Sequence, residues 1–127
     1  MKLFIDDLRM PPPGWVLARS SSEAVEIVEK AGAWPEAISF DHDLGGEDIA
    51  PIFVKAITEL ALDGKIRGPE HNFRFFVHSM NSSGRSNLAI DVQSFYKHCN
   101  GDLYPYPYQH QWLIENGSQN SLLEKMK

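Results

Sequence analysis

Short apolar runs alternate along most of the chain with segments in which apolar residues recur at helical spacing. Four runs have the length and composition of buried strands: Lys2–Ile5, Trp15–Ala18, Ala37–Phe40 and Phe73–Val77. Each is bounded by polar residues, glycine or proline, as is typical of strands whose two faces are both covered.

Three segments between and after these runs carry apolar residues on one face of a helix. In the first, Ser20 stands three residues ahead of Glu23, which is the capping-box pattern of a helix start, and Gly32 is placed to end the helix. The three apolar faces are Ala24, Ile27, Val28 and Ala31; Phe53, Ala56, Ile57 and Leu60, in a helix from about Pro51; and Leu88, Val92, Phe95 and Cys99. Strands that alternate with helices predict an α/β fold, a three-layer sandwich around a mostly parallel sheet.

The length of 127 residues suits one domain. We expect a core over about residues 2–100 and a C-terminal extension over about 101–127. Within the extension, the prolines of Tyr104-Pro105-Tyr106-Pro107-Tyr108 exclude a central strand and favour an extended edge segment. Hydrophobic residues make up 43% and charged residues 23%, the proportions of an ordinary globular protein.

The formal charge of −5 argues against tight non-specific binding to duplex DNA. A single cysteine, Cys99, cannot form an internal disulfide, which favours a reducing compartment, and its position on a helical face predicts a core residue. The apolar run at the N-terminus ends at Asp6-Asp7, which is too early for a signal peptide, so we expect none. No apolar run is long enough to span a bilayer, so we expect no membrane partner. The predicted location is the cytoplasm, and the oligomeric state stays open.

Polar residues follow three of the four predicted strands. They are Asp6-Asp7, Asp41-His42-Asp43 and His78-Ser79-Met80-Asn81. Parallel strands bring their carboxyl ends to one edge of the sheet, where ligands of open α/β sheets bind. The sequence therefore predicts one shared site at this edge.

Asp6, Asp7, Asp41 and Asp43 are the candidate metal ligands. Carboxylates crowded together raise one another's pKa, and a hard divalent cation relieves this repulsion. Mg²⁺ is the expected ion, with Mn²⁺ as a possible substitute. The alternative is that these acids are solvated loop residues or helix caps.

His42 and His78 are candidates for a general acid or base. Structural histidines held by hydrogen bonds, or ligands of iron or zinc, are the alternatives. The start of the third predicted helix favours a phosphate-binding site formed by Ser79, Asn81 and Arg85. The alternative is a serine-rich helix cap with a surface arginine, which has the same sequence pattern.

Several blocks of the sequence resemble the cyclic-phosphate processing receiver-like domains. They are residues 3–9 (LFIDDLR), 11–15 (PPPGW), 18–20 (ARS), 39–45 (SFDHDLG), 77–81 (VHSMN) and 84–85 (GR). The resemblance implies a receiver-type, flavodoxin-like fold in which Asp6, Asp7 and Asp41 hold Mg²⁺. It also implies that Asp41 occupies the position of the phosphoryl acceptor, and that Ser79 matches the hydroxyl residue after the fourth strand.

Two departures from signalling receivers favour hydrolysis over a phosphorelay. No lysine is found at the end of a fifth strand, and histidines adjoin Asp41 and Ser79. The expected function is a metal-dependent phosphoesterase acting on 2′,3′-cyclic phosphate RNA ends or cyclic nucleotides. Attack by activated water and an aspartyl phosphate on Asp41 both stay open. The rival hypothesis is a non-catalytic signalling or phospho-ligand-binding module.

Overall fold

A computed structural model describes residues 1–78, 82–101 and 107 of the chain. The elements in chain order are β1 (Lys2–Ile5), β2 (Val16–Ala18), α1 (Ser21–Ala31), β3 (Ala37–Phe40), α2 (Ala50–Leu62), β4 (Arg74–Val77) and α3 (Ser82–Asn100). All four predicted strands and all three predicted helices are confirmed. Two strands begin one residue later than expected, because Trp15 and Phe73 precede the ladder rather than join it.

The four strands form one parallel sheet in the order β2-β1-β3-β4. Leu17 and Ser39 flank Phe4 in register, and Phe76 follows on the far side of Ser39. The predicted α/β class with a parallel sheet is confirmed. Because β1, β3 and β4 are consecutive neighbours in this parallel sheet, their carboxyl ends lie side by side at one edge of the sheet.

The two faces of the sheet are covered differently. Side chains alternate along each strand, so one face carries Leu3, Ile5, Ile38, Phe40, Phe75 and Val77. Buried residues of all three helices, among them Val28, Phe53 and Val92, join these six in one hydrophobic core. Phe4 and Phe76 lie on the opposite face and pack with Trp15 and Leu17. Among the residues that the structure describes, every helix therefore packs on the same face, and the third layer of the predicted three-layer sandwich is not among them.

The connection from β1 to β2 is an irregular loop instead of a helix. Its three consecutive prolines end in a turn that the Trp15 N–H closes on the Pro12 carbonyl oxygen at 3.3 Å. The Arg19 guanidinium then donates to the carbonyl oxygens of Asp6 (3.4 Å) and Arg9 (2.9 Å). These hydrogen bonds fold the loop back over the edge of the sheet at which β1 ends.

Side-chain caps fix the start of α1. The Ser20 hydroxyl accepts from the Glu23 N–H at 3.1 Å, which confirms the predicted cap, and the Glu23 carboxylate accepts from the Arg19 N–H. The Asp48 carboxylate accepts from the Ser21 N–H at 2.8 Å and so ties the loop after β3 to this helix. Gly32 ends α1 at φ 75°, the left-handed conformation expected there.

The prediction that Cys99 is a core residue is wrong, because its side chain is exposed. Tyr96 fills the inward side of the last turns of α3, and its hydroxyl donates to the His71 carbonyl oxygen at 2.7 Å. Of the predicted extended segment 104–108, only Pro107 lies within the described residues, and its carbonyl oxygen accepts from the Phe75 N–H at 2.8 Å. No helix in the described part of the chain combines the length and hydropathy needed to cross a bilayer.

Replacing the cap of α1 tests how much this local contact contributes. We expect Ser20→Ala to lower the free energy of unfolding by about 1 kcal/mol, because the Glu23 N–H loses its acceptor at the helix start. Urea denaturation at neutral pH measures the change. Ser94→Ala, at an exposed position inside α3, is the matched control and should cost less; equal losses for the two variants would contradict the assignment of the cap.

Candidate functional site

The parallel ladder continues for one residue beyond three of its strands. The Asp41 N–H donates to the Ile5 carbonyl oxygen at 2.9 Å, and the His78 N–H donates to the Phe40 carbonyl oxygen at 2.8 Å. The Asp6 N–H likewise donates to the Ala18 carbonyl oxygen at 3.0 Å. Asp6, Asp41 and His78 thus form the next cross-strand row after Ile5, Phe40 and Val77. Alternation puts this row on the face that carries Phe4, Ser39 and Phe76.

Three carboxylates meet at this edge. Asp6, Asp7 and Asp41 each offer one oxygen, and these oxygens all lie within 4.8 Å of one another. We call these three residues the acidic cluster. Asp6 is fully buried, whereas Asp7 and Asp41 are partly exposed, so the cluster is open to solvent on one side.

Asp6 is held by hydrogen bonds to both of its carboxylate oxygens. Its Oδ1 accepts from the N–H groups of Leu8 and Arg9, each at 2.8 Å, and its Oδ2 accepts from His78 Nε2 at 2.9 Å. Burial by itself raises the pKa of this carboxyl. The His78 hydrogen bond and the two backbone donors outweigh burial and lower the pKa of Asp6 to about 2.

The pKa of Asp41 moves in the opposite direction. Burial raises it, and the neighbouring negative charge of Asp6, with a smaller contribution from Asp7, raises it further. The charges of His78 and, to a smaller extent, Arg9 offset only part of this effect. The cluster therefore concentrates negative charge that a cation would neutralise, and its oxygen donors are those that hard divalent cations prefer.

His78 is buried, and each of its two ring nitrogens has a hydrogen-bond partner. Its side chain is 1% exposed. The Nε2 atom contacts Asp6, Nδ1 lies 2.7 Å from the Ser39 hydroxyl, and the Phe4 ring stacks on the imidazole at a centroid distance of 4.8 Å. In this arrangement a substrate reaches neither ring nitrogen. The geometry therefore opposes the sequence-based expectation that His78 exchanges protons with a substrate.

His42 lies on the opposite side of the sheet edge, against the first turn of α3. A Cβ atom added to Gly84 would lie 2.6 Å from His42 Cδ2, so the ring occupies the space where any side chain at position 84 would stand. Its Nδ1 is 3.0 Å from the Asp43 carboxylate, and the side chain keeps 13% exposure. A carboxylate only accepts hydrogen bonds, so this contact places a proton on Nδ1 and leaves Nε2 to take up or release one.

The loop between β3 and α2 closes on itself beside the acidic cluster. The Leu44 N–H donates to the Asp48 carbonyl oxygen, and the Ala50 N–H to the His42 carbonyl oxygen, at 2.9 and 2.8 Å. Gly45 adopts φ 96° inside this turn, and a Cβ there would lie 3.3 Å from Asp7 Oδ2. Glycine thus allows both the left-handed backbone and the close approach of the Asp7 carboxylate.

The remaining predicted site residues have different positions. Asp43 is 63% exposed, contacts His42 and is not part of the acidic cluster, which opposes its assignment as a metal ligand. Arg85 is partly buried in the first turn of α3, one residue beyond the glycine that contacts His42. Ser79 and Asn81 lie outside the described residues.

The sequence analysis assigned no role to Arg9 or Ser39. Arg9 Nη1 donates to the His78 carbonyl oxygen at 3.3 Å, its Nε lies 4.0 Å from Asp6 Oδ2, and the side chain is 54% exposed. Ser39 is fully buried in β3. Its signal in the sequence is a hydroxyl two residues before Asp41 in an apolar run, which by alternation places it on the same face as Asp41. No comparable local signal marks Arg9.

Comparison with known proteins gives one match. The family model of the cyclic-phosphate processing receiver domain matches residues 1–93. The matched segment includes the acidic cluster, both histidines and Arg85. No curated protein and no solved structure matches the chain.

The contact between Gly84 and His42 predicts a dependence between these two positions. We expect Gly84→Ala to cost about 1–3 kcal/mol of stability, because the new methyl overlaps the imidazole ring. In a His42→Ala background the same change should cost nothing or stabilise by up to about 1 kcal/mol, since alanine is the better helix former. Denaturation of the four proteins of this cycle measures the coupling, and additive effects would contradict the contact.

The low pKa of Asp6 predicts a loss of stability in acid. Its folded-state pKa of about 2 lies below the roughly 3.9 of an unfolded aspartate, so ionised Asp6 stabilises the fold above about pH 4. This contribution, about 2 kcal/mol, is lost as the pH falls through 2. Urea unfolding across this range should show the advantage of wild type over Asp6→Asn shrinking towards low pH. Parallel curves for the two proteins would contradict this.

Proposed function

The chain belongs to the cyclic-phosphate processing receiver domain family, and we propose that it is a metal-dependent phosphoesterase that hydrolyses a cyclic phosphate ester. The observation that carries this proposal is the acidic cluster, which is open to solvent on one side and whose Asp41 directly precedes His42 in the chain. The expected substrate class is a 2′,3′-cyclic phosphate on an RNA end or a nucleotide. A net charge of −5 fits a small anionic group held locally better than a long duplex.

Asp6, Asp7 and Asp41 fit a divalent cation of the hard, oxygen-binding type. Their oxygens lie within 4.8 Å of one another, and the pKa of Asp41 is raised by burial and by the negative charge of Asp6, a repulsion that such a cation relieves. Mg²⁺ is the expected ion and Mn²⁺ its substitute. When bound, the cation supplies charge stabilisation at a phosphoryl oxygen and lowers the pKa of coordinated water.

His42 is the proposed proton carrier. Its Nδ1 is held by Asp43, so Nε2 is the atom that exchanges a proton during the reaction. Hydrolysis forms a bond from water oxygen to phosphorus and breaks the bond from phosphorus to one ribose oxygen. The water loses one proton to solvent, and the leaving oxygen takes the proton that protonated His42 carries on Nε2; solvent then returns a proton to Nε2.

Cationic side chains near the cluster are suited to the phosphate. Arg85 stands in the first turn of α3, next to the glycine that contacts His42, and Arg9 borders the cluster with about half of its side chain exposed. Guanidinium groups donate paired hydrogen bonds to phosphate oxygens. Ser79 and Asn81 stay proposed phosphate ligands on the basis of sequence alone.

A second candidate function is a phosphate-accepting or phospho-ligand-binding module without turnover. The position of Asp41 favours it, because its carboxylate follows β3, is partly exposed and adjoins two further acids. In that case an Asp41 oxygen would bond to the phosphorus of a phosphodonor, the bond from phosphorus to the leaving group of the donor would break, and the aspartyl phosphate would persist. Labelling by a small phosphodonor without release of product would support this function.

Turnover of cyclic phosphates tests the first proposal. Purified protein with Mg²⁺ or Mn²⁺ should open a 2′,3′-cyclic nucleotide or a cyclic-phosphate RNA end to a monoester. Chromatography of the product measures this turnover. We expect Asp41→Asn to abolish turnover, and His42→Ala to reduce it by about 10²–10⁴-fold.

Stability and metal controls separate loss of chemistry from loss of fold. Without metal, Asp41→Asn should be at least as stable as wild type, because the substitution removes a charge that Asp6 and Asp7 repel. A chelator should stop wild-type turnover. Metal binding by wild type without turnover on any cyclic phosphate would contradict the phosphoesterase and favour the module.

A further inference from the structure

A buried chain of hydrogen bonds connects the middle of the sheet to the acidic cluster. The Ser39 hydroxyl contacts His78 Nδ1 at 2.7 Å, and His78 Nε2 contacts Asp6 Oδ2 at 2.9 Å. All three side chains are essentially excluded from solvent, with exposed fractions of 0% for Ser39 and Asp6 and 1% for the His78 side chain. Buried polar groups in such a chain depend on one another for their partners.

The register of the sheet explains why these three side chains meet. Ser39 stands between Phe4 and Phe76 in one cross-strand row, and the next row on the same face holds Asp6, Asp41 and His78. The Phe4 ring is stacked on the imidazole at an interplanar angle of 7°. The plane of the ring is therefore set by packing and its two nitrogens by hydrogen bonds.

The donor and acceptor roles follow from the chemistry of Asp6. Its Oδ1 already accepts two backbone N–H groups, and a carboxylate has no proton to give, so His78 Nε2 must donate to Oδ2. In a neutral imidazole, Nδ1 is then the acceptor and takes the hydrogen of the Ser39 hydroxyl. Ser39 thereby favours the form of the ring that donates towards Asp6.

We propose that Ser39 and His78 are positioning residues, which fix the orientation of the Asp6 carboxylate within the acidic cluster and so raise the affinity of that cluster for a divalent cation. Partners in the second layer around a metal commonly orient the ligands in this way. The inference rests on the proposed function only in that the acidic cluster binds a cation. It assigns His78 a role without contact to substrate and leaves His42 as the proton carrier.

Metal affinity is the first measurement, made on the full chain with Mn²⁺ by electron paramagnetic resonance. We expect Ser39→Ala to weaken binding by about 10-fold and His78→Leu by about 10–100-fold. His78→Gln should retain more affinity than His78→Leu, since its amide N–H can still donate to Asp6. These readouts do not depend on turnover.

Ser21→Ala is the matched control for a general loss of stability. Ser21 is also a buried serine and lies in the first turn of α1. Its hydroxyl donates to the Ile49 carbonyl oxygen at 3.1 Å. We expect it to lower stability as Ser39→Ala does and to leave Mn²⁺ affinity unchanged. Equal losses of Mn²⁺ affinity in the two variants would overturn the positioning role.

Nitrogen NMR of the His78 ring tests the same role without metal. When the ring is neutral, its proton should lie on Nε2 in wild type, and Ser39→Ala should increase the population protonated only on Nδ1. A wild-type ring protonated only on Nδ1 would overturn the proposal. Mn²⁺ binding by wild type without hydrolysis of cyclic phosphates would refute the phosphoesterase and leave the positioning role supported. Absence of Mn²⁺ binding by wild type would overturn both.

Discussion

Mutual repulsion among three carboxylates at the end of the sheet is the constraint on which the local structure depends. Asp6, Asp7 and Asp41 bring their oxygens within 4.8 Å of one another, two of them on adjacent strands whose spacing leaves little room for separation. Asp6 stays ionised through a buried imidazole and two backbone donors, whereas burial and the negative charge of Asp6 raise the pKa of Asp41. Arg9 and Arg19 bind the carbonyl oxygens beside the cluster and hold the loop that follows Asp6.

The sequence was sufficient for the elements and for the edge at which the site lies. Apolar runs such as Ala37–Phe40 and the helical spacing around Val28 are local signals, and parallel strands place their carboxyl ends together by topology. The roles of the two histidines required more, because each follows from a contact between distant segments. His78 is buried through Ser39 on a neighbouring strand, and His42 packs on Gly84 at the start of α3. Neither strand order nor the path of a helix is encoded in local spacing.

The uneven coverage of the sheet also separates the two sides of the site. Asp7 and His42 lie towards the helices, where Gly45 and Gly84 make space for them, and they depend on loop and helix positions. Asp6 and His78 lie on the face of Phe4 and depend on cross-strand contacts. The position of the His42 ring therefore depends on the helix layer, whereas the position of the Asp6 carboxylate depends on cross-strand contacts. A substitution in the α2 or α3 layer should disturb the former before the latter.

The backbone of the site belongs to the sheet. The N–H groups of Asp6, Asp41 and His78 each donate to a carbonyl oxygen of the adjacent strand, so the residues that end the strands extend the ladder by one rung. Ligand sites on free loops lose conformational entropy when a ligand orders them. Here the main chain under two of the three carboxylates is already ordered by hydrogen bonds that also hold the fold together. A ligand bound by Asp6 and Asp41 would therefore cost little backbone entropy at these two residues.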